Sequence, residues 1–214
     1  MTVGERDERE SRLVIKRGLC PEVWRPAWIL AAEAHSKQTV PGRKANYLAH
    51  LGEVVLELIS AHFISPLDDL NLAVQCAILH DTIEDQSDKV KAVEIEKLCG
   101  YPVAKGVLAL SKSKELPQGA AMQDSLDRIL LQPKSVWCVK LADRVANLQS
   151  VPNYWSAKKI AEYRMEASLI VDTLGAANAC LSARLRECIA SYPPGLPSRS
   201  VAGVSDESGL FQRG

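Results

Sequence analysis

The chain has 214 residues, a length that typically forms one domain with room for a short appended tail. Basic and acidic side chains balance at 26 each, whereas domains that bind nucleic acid polymers usually carry a basic excess. Aromatic residues make up only 5% of the chain, which also disfavours a base-stacking platform for single-stranded nucleic acid. These numbers leave open a small phosphorylated ligand, because such a ligand needs only a local basic cluster.

The cysteines and the missing targeting signals indicate the compartment. None of the six cysteines forms a C-x-x-C pair, which argues against a zinc knuckle or a thioredoxin-type site. The amino-terminal run MTVGERDERE is charged rather than apolar, and the chain contains no run of 18 apolar residues. The sequence therefore predicts a cytoplasmic protein with reduced thiols and no membrane partner.

Composition divides the chain into three segments. Residues 1–12 form a charged run and are expected to be a disordered lead-in. Residues 193–214 are rich in proline, glycine and serine and are expected to be a flexible tail. Residues 13–192 have helical periodicity with almost no strand alternation, which predicts one compact all-α bundle of seven to nine helices.

Proline, glycine and apolar periodicity bound these helices along the chain. Pro21 suits the first position of the first helix, and Pro41 and Gly42 then interrupt the chain. The third helix has apolar residues at the spacing i, i+4, i+7 and i+11, which favours one unbroken helix up to Glu84. The predicted helices run over approximately residues 21–38, 45–63, 66–84, 92–98, 102–110, 118–131, 134–148, 156–174 and 178–192.

The end of the third predicted helix carries the string HDTIED at residues 80–85. On a helix, His80 and Glu84 share one face, and Asp81 and Asp85 lie one position round. Three carboxylates within two turns repel one another, and a divalent cation would offset their charge. The alternative is a solvated acidic helix end, although acidic residues at a helix carboxyl terminus oppose the macrodipole.

A second polar feature lies on the apolar helix at residues 134–148. Lys140, Asp143 and Asn147 fall on one stripe of this helix, where most other residues are apolar. A polar stripe on a buried helix must find partners, because unpaired buried polar groups are costly. The pattern fits a functional site or, equally, a buried Lys140–Asp143 ion pair that serves packing alone.

The four histidines differ in the roles that their surroundings suggest. His50 lies near the start of a helix beside an apolar stripe, where a satisfied core histidine is more common than a metal ligand. His35 is a weaker candidate for a site, and His62 looks like a surface residue with no role. Together, His50 and His80 complete a possible set of imidazole and carboxylate ligands.

Taken together, these segments resemble the HD-domain phosphohydrolases. His50, the string HDTIED at 80–85, and Lys140–Arg144 (KLADR) with Asn147 have the order and spacing of that family. Within it, the chain is most similar to the (p)ppGpp hydrolase domain of RelA/SpoT enzymes and to Mesh1-type small alarmone hydrolases, with their HDxxED and KLADRLHNM motifs. The resemblance spans about His35 to Leu174 and implies an all-α, HD-type helical bundle.

The resemblance also implies roles for the motif residues. In the family, two histidines and two aspartates hold one metal ion, usually Mn²⁺, and a Glu-Asp pair orients or deprotonates the attacking water. Carried over, Glu84 and Asp85 are the catalytic pair. The implied metal ligands are His50, His80, Asp81 and Asp143. Without sulfur in this set, structural zinc is disfavoured.

The residues around the substrate depart from the family pattern. The family places an Arg-Lys pair directly after a His-x-x-Gln stretch, but here Thr39–Gly42 separate Gln38 from Arg43-Lys44. Asn46 replaces the usual proline, and Ser111-Lys112 stands where the family often has threonine and a charged residue. The candidate substrate-binding residues are Arg43, Lys44, Tyr47, Lys112, Lys140, Arg144 and Asn147.

The function that the resemblance implies is hydrolysis of a small nucleotide. We expect a metal-dependent pyrophosphohydrolase that removes the 3′-diphosphate of ppGpp or pppGpp and releases GDP or GTP with pyrophosphate. Two alternatives stay open. One is an HD-type phosphohydrolase that acts on NADPH or on an adenosine alarmone, and the other is a non-catalytic nucleotide-binding module. Every reading predicts a small-molecule partner and no nucleic acid polymer, and the oligomeric state is open.

Overall fold

The computed structural model of the chain describes residues 20–193. The lead-in predicted at residues 1–12 and residues 194–214 of the predicted tail lie outside this range. Within it, every regular element is helical, and the sole extended pairing is one bridge between Thr39 and Asn46. The predicted all-α class is therefore confirmed.

The described residues form ten α-helices, one of which is a single turn. A 3₁₀ turn at Gly175–Ala177 precedes the last helix. The α-helices are α1 (Pro21–Ala34), α2 (Leu48–Ile64), α3 (Leu70–Leu79), α4 (Thr82–Asp85), α5 (Ala92–Cys99), α6 (Tyr101–Leu110), α7 (Gln118–Leu130), α8 (Lys134–Asn147), α9 (Ala157–Leu174) and α10 (Ala179–Ser191).

The helix predicted to run unbroken to Glu84 is in fact interrupted. Helix α3 ends at Leu79, His80 and Asp81 form a turn, and α4 starts at Thr82. The hydroxyl of Thr82 donates to the carbonyl of Leu79 over 2.6 Å. This side-chain hydrogen bond replaces one that the backbone would make if the helix continued. The break turns His80 and Asp81 out of the regular helical faces that the sequence predicts.

Helix α3 also begins later than Pro66, where the sequence predicts its start. The Asp69 side chain accepts a hydrogen bond from the backbone N–H of Leu72 over 2.9 Å, which caps the helix at Leu70. The backbone N–H of Asp69 donates to the Ser135 hydroxyl over 2.9 Å. These contacts fix the start of α3 against the start of α8.

A tight antiparallel turn joins α1 to α2, where the sequence predicts helix up to Gln38. The backbone N–H of Tyr47 donates to the carbonyl of Gln38 over 2.9 Å, and the bridge between Thr39 and Asn46 continues the pairing. Gly42 reverses the chain with a φ of 76°, a conformation that favours glycine. The turn brings the residues after α1 next to the start of α2.

Helices α2, α3 and α8 pack together at the centre of the bundle. Nine of the ten residues of α3 are buried, and Gly106 on α6 lets that helix approach α3 closely. A Cβ at Gly106 would lie only 2.7 Å from the sulfur of Cys76. Because α8 is equally enclosed, its polar side chains must be paired within the protein. No helix among residues 20–193 is both long and apolar enough to cross a membrane.

Candidate metal and catalytic centre

The four predicted ligands meet where α2, α8 and the turn after α3 converge. The Nε2 atom of His50 lies 3.4 Å from Asp143 Oδ1, and the Nε2 atom of His80 lies 3.6 Å from the same oxygen. Asp81 Oδ2 lies 2.9 Å from His80 Nε2 and 3.9 Å from His50 Nε2. Two imidazole nitrogens and two carboxylate oxygens therefore face one another across a few ångströms.

The protonation of His80 leaves one ring nitrogen ready to bind a cation. Its Nδ1 atom lies 2.7 Å from the carbonyl oxygen of Ala77, which can only accept, so Nδ1 carries the hydrogen. Its Nε2 lies 2.9 Å from Asp81 Oδ2, so a proton or a cation must stand between the two atoms, and a cation would take the Nε2 lone pair of the neutral ring. This arrangement is typical of a metal-binding histidine, whose second nitrogen donates to a carbonyl.

Both carboxylates are held by neighbouring side chains. The Tyr47 hydroxyl donates to Asp81 Oδ2. Asp143 Oδ2 accepts from the Lys140 ammonium over 3.2 Å, and Asp143 Oδ1 accepts from the Asn147 amide over 2.5 Å. The predicted polar stripe of α8 thus forms a connected chain, and its Lys140–Asp143 pair exists. The other carboxylate oxygen of this pair, Asp143 Oδ1, faces His50 and His80.

The charges in this cluster fit a divalent cation. Burial disfavours ionised Asp143, but Lys140 and the two imidazoles outweigh burial and keep its pKa well below the ordinary value. Burial likewise disfavours a charged His80, but Asp81 outweighs burial and raises the His80 pKa above its usual range. The site therefore attracts positive charge. Two imidazoles and two carboxylates suit a hard or borderline divalent ion, and the donors of His50, His80 and Asp81 lie within 4.8 Å of one another.

Glu84 and Asp85 lie at the rim of the cluster and have different partners. Glu84 Oε2 accepts from the backbone N–H of Lys112 over 2.8 Å, and its Oε1 lies 3.0 Å from the Lys112 ammonium. Burial lowers the pKa of Lys112, but the Glu84 carboxylate outweighs burial and leaves that pKa above its ordinary value. Asp85 Oδ2 accepts from the side-chain amide of Gln38 over 2.7 Å.

A cavity of about 130 Å³ opens beside His50. The turn before α2 and the end of α8 form two of its walls, and Trp155 and Tyr163 contribute aromatic surface. Asn147 lines the same cavity, so the residue that holds Asp143 also faces this space. Asn147 is predicted from the sequence, whereas the two aromatic residues lie outside the motifs and are not predicted.

The predicted Arg43-Lys44 pair is split between two environments. Arg43 lines the cavity, where its guanidinium lies 2.7 Å from Glu53 Oε1 and donates to the Ser150 hydroxyl over 3.0 Å. Lys44 is exposed. Glu53 was also missed, although its position three residues after His50 places both on one helix face.

Arg144 is held by its own protein partners. Its guanidinium lies 2.8 Å from Glu166 Oε2 and sits 4.0 Å from the centre of the Tyr163 ring. Only 3% of the residue is exposed. The structure thus places Arg144 behind the cavity wall formed by Tyr163, in contact with groups of α9.

The chain is similar to a known domain family and to proteins of known activity. The family model described as HD domain matches residues 27–178. A Danio rerio protein named "Guanosine-3′,5′-bis(diphosphate) 3′-pyrophosphohydrolase MESH1" is 31% identical over 118 residues, which cover 53% of this chain and 64% of that protein. The Homo sapiens protein of the same name is 29% identical over 119 residues, which cover 54% and 65%. The chain thus spans slightly less than two thirds of the length of these curated relatives.

A solved structure gives the same fold. It is described as "A metazoan ortholog of SpoT hydrolyzes ppGpp and plays a role in starvation responses", and it superposes with a TM-score of 0.71 at 23% sequence identity. The superposition covers 81% of this chain and 97% of that one. Since the family model also matches well over half of the residues, from α1 to the start of α10, the chain belongs to the HD domain family.

Proposed function

We propose that the protein is a metal-dependent pyrophosphohydrolase that removes the 3′-diphosphate of ppGpp or pppGpp. The observation that carries this proposal is the meeting of two histidines and two aspartates beside Glu84 and beside a cavity with aromatic walls. The relatives named as MESH1 pyrophosphohydrolases support the same reaction. Water would attack the phosphorus bound to the 3′ oxygen, and cleavage of that bond would release pyrophosphate and GDP or GTP.

His50, His80, Asp81 and Asp143 would hold one divalent ion, and Mn²⁺ is our candidate. Such an ion, when bound, would polarise the phosphate and lower the pKa of a water in the site. The protein's own contribution is to fix the ligands. Tyr47 orients Asp81, and Lys140 and Asn147 hold the two oxygens of Asp143.

Glu84 and Lys112 would act on the water and the phosphates. The Glu84 carboxylate would accept the proton of the attacking water, Asp85 would orient that water, and the Lys112 ammonium, one third exposed, would offset phosphate charge. Lys140 and Arg144 are less suited to contact substrate directly, because their paired side chains are only 5% and 3% exposed. We therefore propose that these two residues support the site from within the protein.

The cavity beside His50 would take the nucleoside. Trp155 and Tyr163 offer an aromatic wall for a base or ribose, and Asn147 offers a polar edge. Arg43 stands at the mouth of this cavity, so it would take over base recognition from the displaced family pair. Tyr47, which bonds Asp81, would act on substrate only through that ligand.

A reducing compartment suits the thiols of this protein. All six cysteines are free, and all lie within the described residues. Intracellular thiols are kept reduced, whereas secreted proteins commonly pair theirs. We propose the cytoplasm as the site of action.

The substrate assignment is tested by a panel assay. The purified protein is incubated with Mn²⁺ and, separately, with ppGpp, pppGpp, ppApp or NADPH, and the products are identified by chromatography. We expect pyrophosphate with GDP or GTP from the guanosine substrates. Faster turnover of ppApp or NADPH would replace guanosine with the alternative substrate. Nucleotide binding without any product would favour a non-catalytic module.

The role of Arg43 is tested by alanine replacement. Arg43→Ala should raise KM for ppGpp about tenfold or more while kcat changes less, because a hydrogen bond to a charged group contributes about 1.5–3 kcal/mol in ground and transition states alike. Arg186→Ala is the matched control, since that arginine also pairs with a carboxylate but is exposed on α10. An unchanged KM in Arg43→Ala, or a larger effect in Lys44→Ala, would contradict the assignment.

A further inference from the structure

A short chain of hydrogen bonds reaches the catalytic candidate Asp85 from the residues after α1. His35 is fully buried, and its Nδ1 atom lies 2.7 Å from Gln38 Oε1. The Gln38 amide nitrogen donates to Asp85 Oδ2 over 2.7 Å, and the Gln86 amide donates to Gln38 Oε1 over 2.6 Å. The proposed reaction gives no role to His35, Gln38 or Gln86.

The chemistry of these groups fixes the direction of the chain. An ionised Asp85 can only accept, so Gln38 must present its NH₂ group to it. The Gln38 oxygen then accepts from Gln86 and from His35 Nδ1, which places the hydrogen of a neutral His35 on Nδ1. Burial lowers the pKa of His35, which favours the neutral ring. Its Nε2 atom is buried without a hydrogen-bond partner in the described part of the chain.

The same imidazole also supports the metal-ligand side of the site. The His35 ring stacks on the Tyr47 ring with centroids 4.9 Å apart. The Tyr47 hydroxyl donates to Asp81, so a single buried side chain contacts one residue that holds Asp81 and another that holds Asp85. The turn that joins α1 to α2 fixes Tyr47 and Gln38 relative to each other, because the backbone N–H of Tyr47 donates to the Gln38 carbonyl.

We propose that Gln38 is a positioning residue that fixes the Asp85 carboxylate, and that neutral His35 sets the direction of the Gln38 amide. The catalytic consequence rests on the proposed function, whereas the hydrogen-bond chain rests on the geometry alone. Without the Gln38 N–H, the Asp85 carboxylate loses its donor and its fixed rotamer. The hydrolysis step then slows, and substrate affinity changes little, because Gln38 reaches substrate only through Asp85.

The charges around Asp85 disfavour its ionised form, so the hydrogen bond from Gln38 affects the pKa of this carboxyl. Burial raises the pKa of the Asp85 carboxyl, and Asp81 and Glu84 raise it further by repulsion. The hydrogen bond from Gln38 acts in the opposite direction. Because the donor favours the ionised form, its removal raises the pKa of Asp85.

Two variants of Gln38 and one control test the kinetic part. Gln38→Met keeps the length of the side chain without donor or acceptor, and we expect kcat for ppGpp to fall about tenfold with KM nearly unchanged. Gln38→Glu keeps an oxygen for His35 but sets a carboxylate against Asp85, so its kcat should fall at least as far. Gln86→Met removes a donor to Gln38 and leaves the link to Asp85 intact, so kcat should change much less. Thermal melting establishes that each variant is folded.

A second measurement is independent of turnover. Carbon-13 NMR follows the Asp85 carboxyl through a pH titration, with Asp85→Asn to assign the signal, and its midpoint should move to higher pH in Gln38→Met. Nitrogen-15 NMR of His35 should show the proton on Nδ1 near neutral pH. The proposal is overturned if kcat and the Asp85 midpoint are unchanged in folded Gln38→Met, or if the His35 proton is on Nε2. If the wild-type protein hydrolyses no ppGpp, the proposed function fails, and the two NMR results alone decide the proposal for Gln38 and His35.

Discussion

Hydrolysis of ppGpp should fall to background in His80→Ala and in Asp143→Asn, and the bound Mn²⁺ should be lost with it. Asp143 Oδ1 faces both histidine Nε2 atoms, so removal of its charge weakens the cation site at its centre. Removal of the His80 imidazole takes away a buried nitrogen that faces the carboxylates of both Asp81 and Asp143. Metal content measured on the purified variants, together with product formation, checks both expectations.

Asparagine is the better replacement for Asp143, because alanine would also destabilise the fold. Lys140 is 4% exposed and is paired with Asp143, and loss of one partner of a buried ion pair costs about 3–5 kcal/mol. Asparagine keeps an oxygen near the Lys140 ammonium. Asp172→Asn, at an exposed carboxylate of α9, is the matched control and should retain metal and activity. Full turnover in excess chelator, or normal metal content in Asp143→Asn, would exclude this site.

The ligand cluster could be anticipated from the sequence because its signals are local. The HDTIED string and the polar stripe of α8 place charged groups where apolar residues should dominate, and the family resemblance then connects them. Apolar periodicity also predicts most of the helices to within a few residues of their observed ends. Burial enforces that periodicity, so it is the most reliable part of the pattern.

The turn at His80 and Asp81 could not be predicted in the same way. Apolar periodicity continues through Ile83, and the break depends on a side-chain hydrogen bond from Thr82 to the Leu79 carbonyl. Threonine often makes such a bond without ending a helix, so the residue type alone is not decisive. The broken helix nevertheless matters for the proposed function, because it turns Asp81 toward His50 and His80 and leaves Glu84 at the rim.

The residues around the cavity escaped prediction for a different reason. Trp155 and Tyr163 reach it from a loop and from α9, which packs against α8 far from the motifs in sequence. The KLADR segment alone suggests that Arg144 is available to a substrate phosphate. In the fold, Arg144 pairs with Glu166 and contacts the Tyr163 ring. Only tertiary packing shows which charged side chains already have partners.

Glu84→Gln should lower kcat for ppGpp by about 10² or more while the protein keeps its metal. Glutamine has nearly the same shape, so the oxygen that accepts from the Lys112 backbone can be retained. Its neutral amide cannot take up a proton from water, and it no longer offsets the charge of the Lys112 ammonium, which lies 3.0 Å from the native carboxylate. Proton transfer is therefore lost with little change in structure.

Metal content and single-turnover kinetics, measured on the same variant, distinguish a role of Glu84 in proton transfer from a role as a metal ligand. The Glu84 carboxylate contacts Lys112 rather than the ligand cluster, and it lies one turn beyond Asp81, so Mn²⁺ binding should match the wild type. Glu94→Gln is the matched control, because that glutamate caps the exposed helix α5, where loss of charge should leave kcat unchanged. If Glu84→Gln loses its metal, Glu84 is a ligand. If its kcat equals that of the wild type, the proton of the attacking water goes to another group, and Asp85, held by Gln38, is then the remaining member of the Glu-Asp pair.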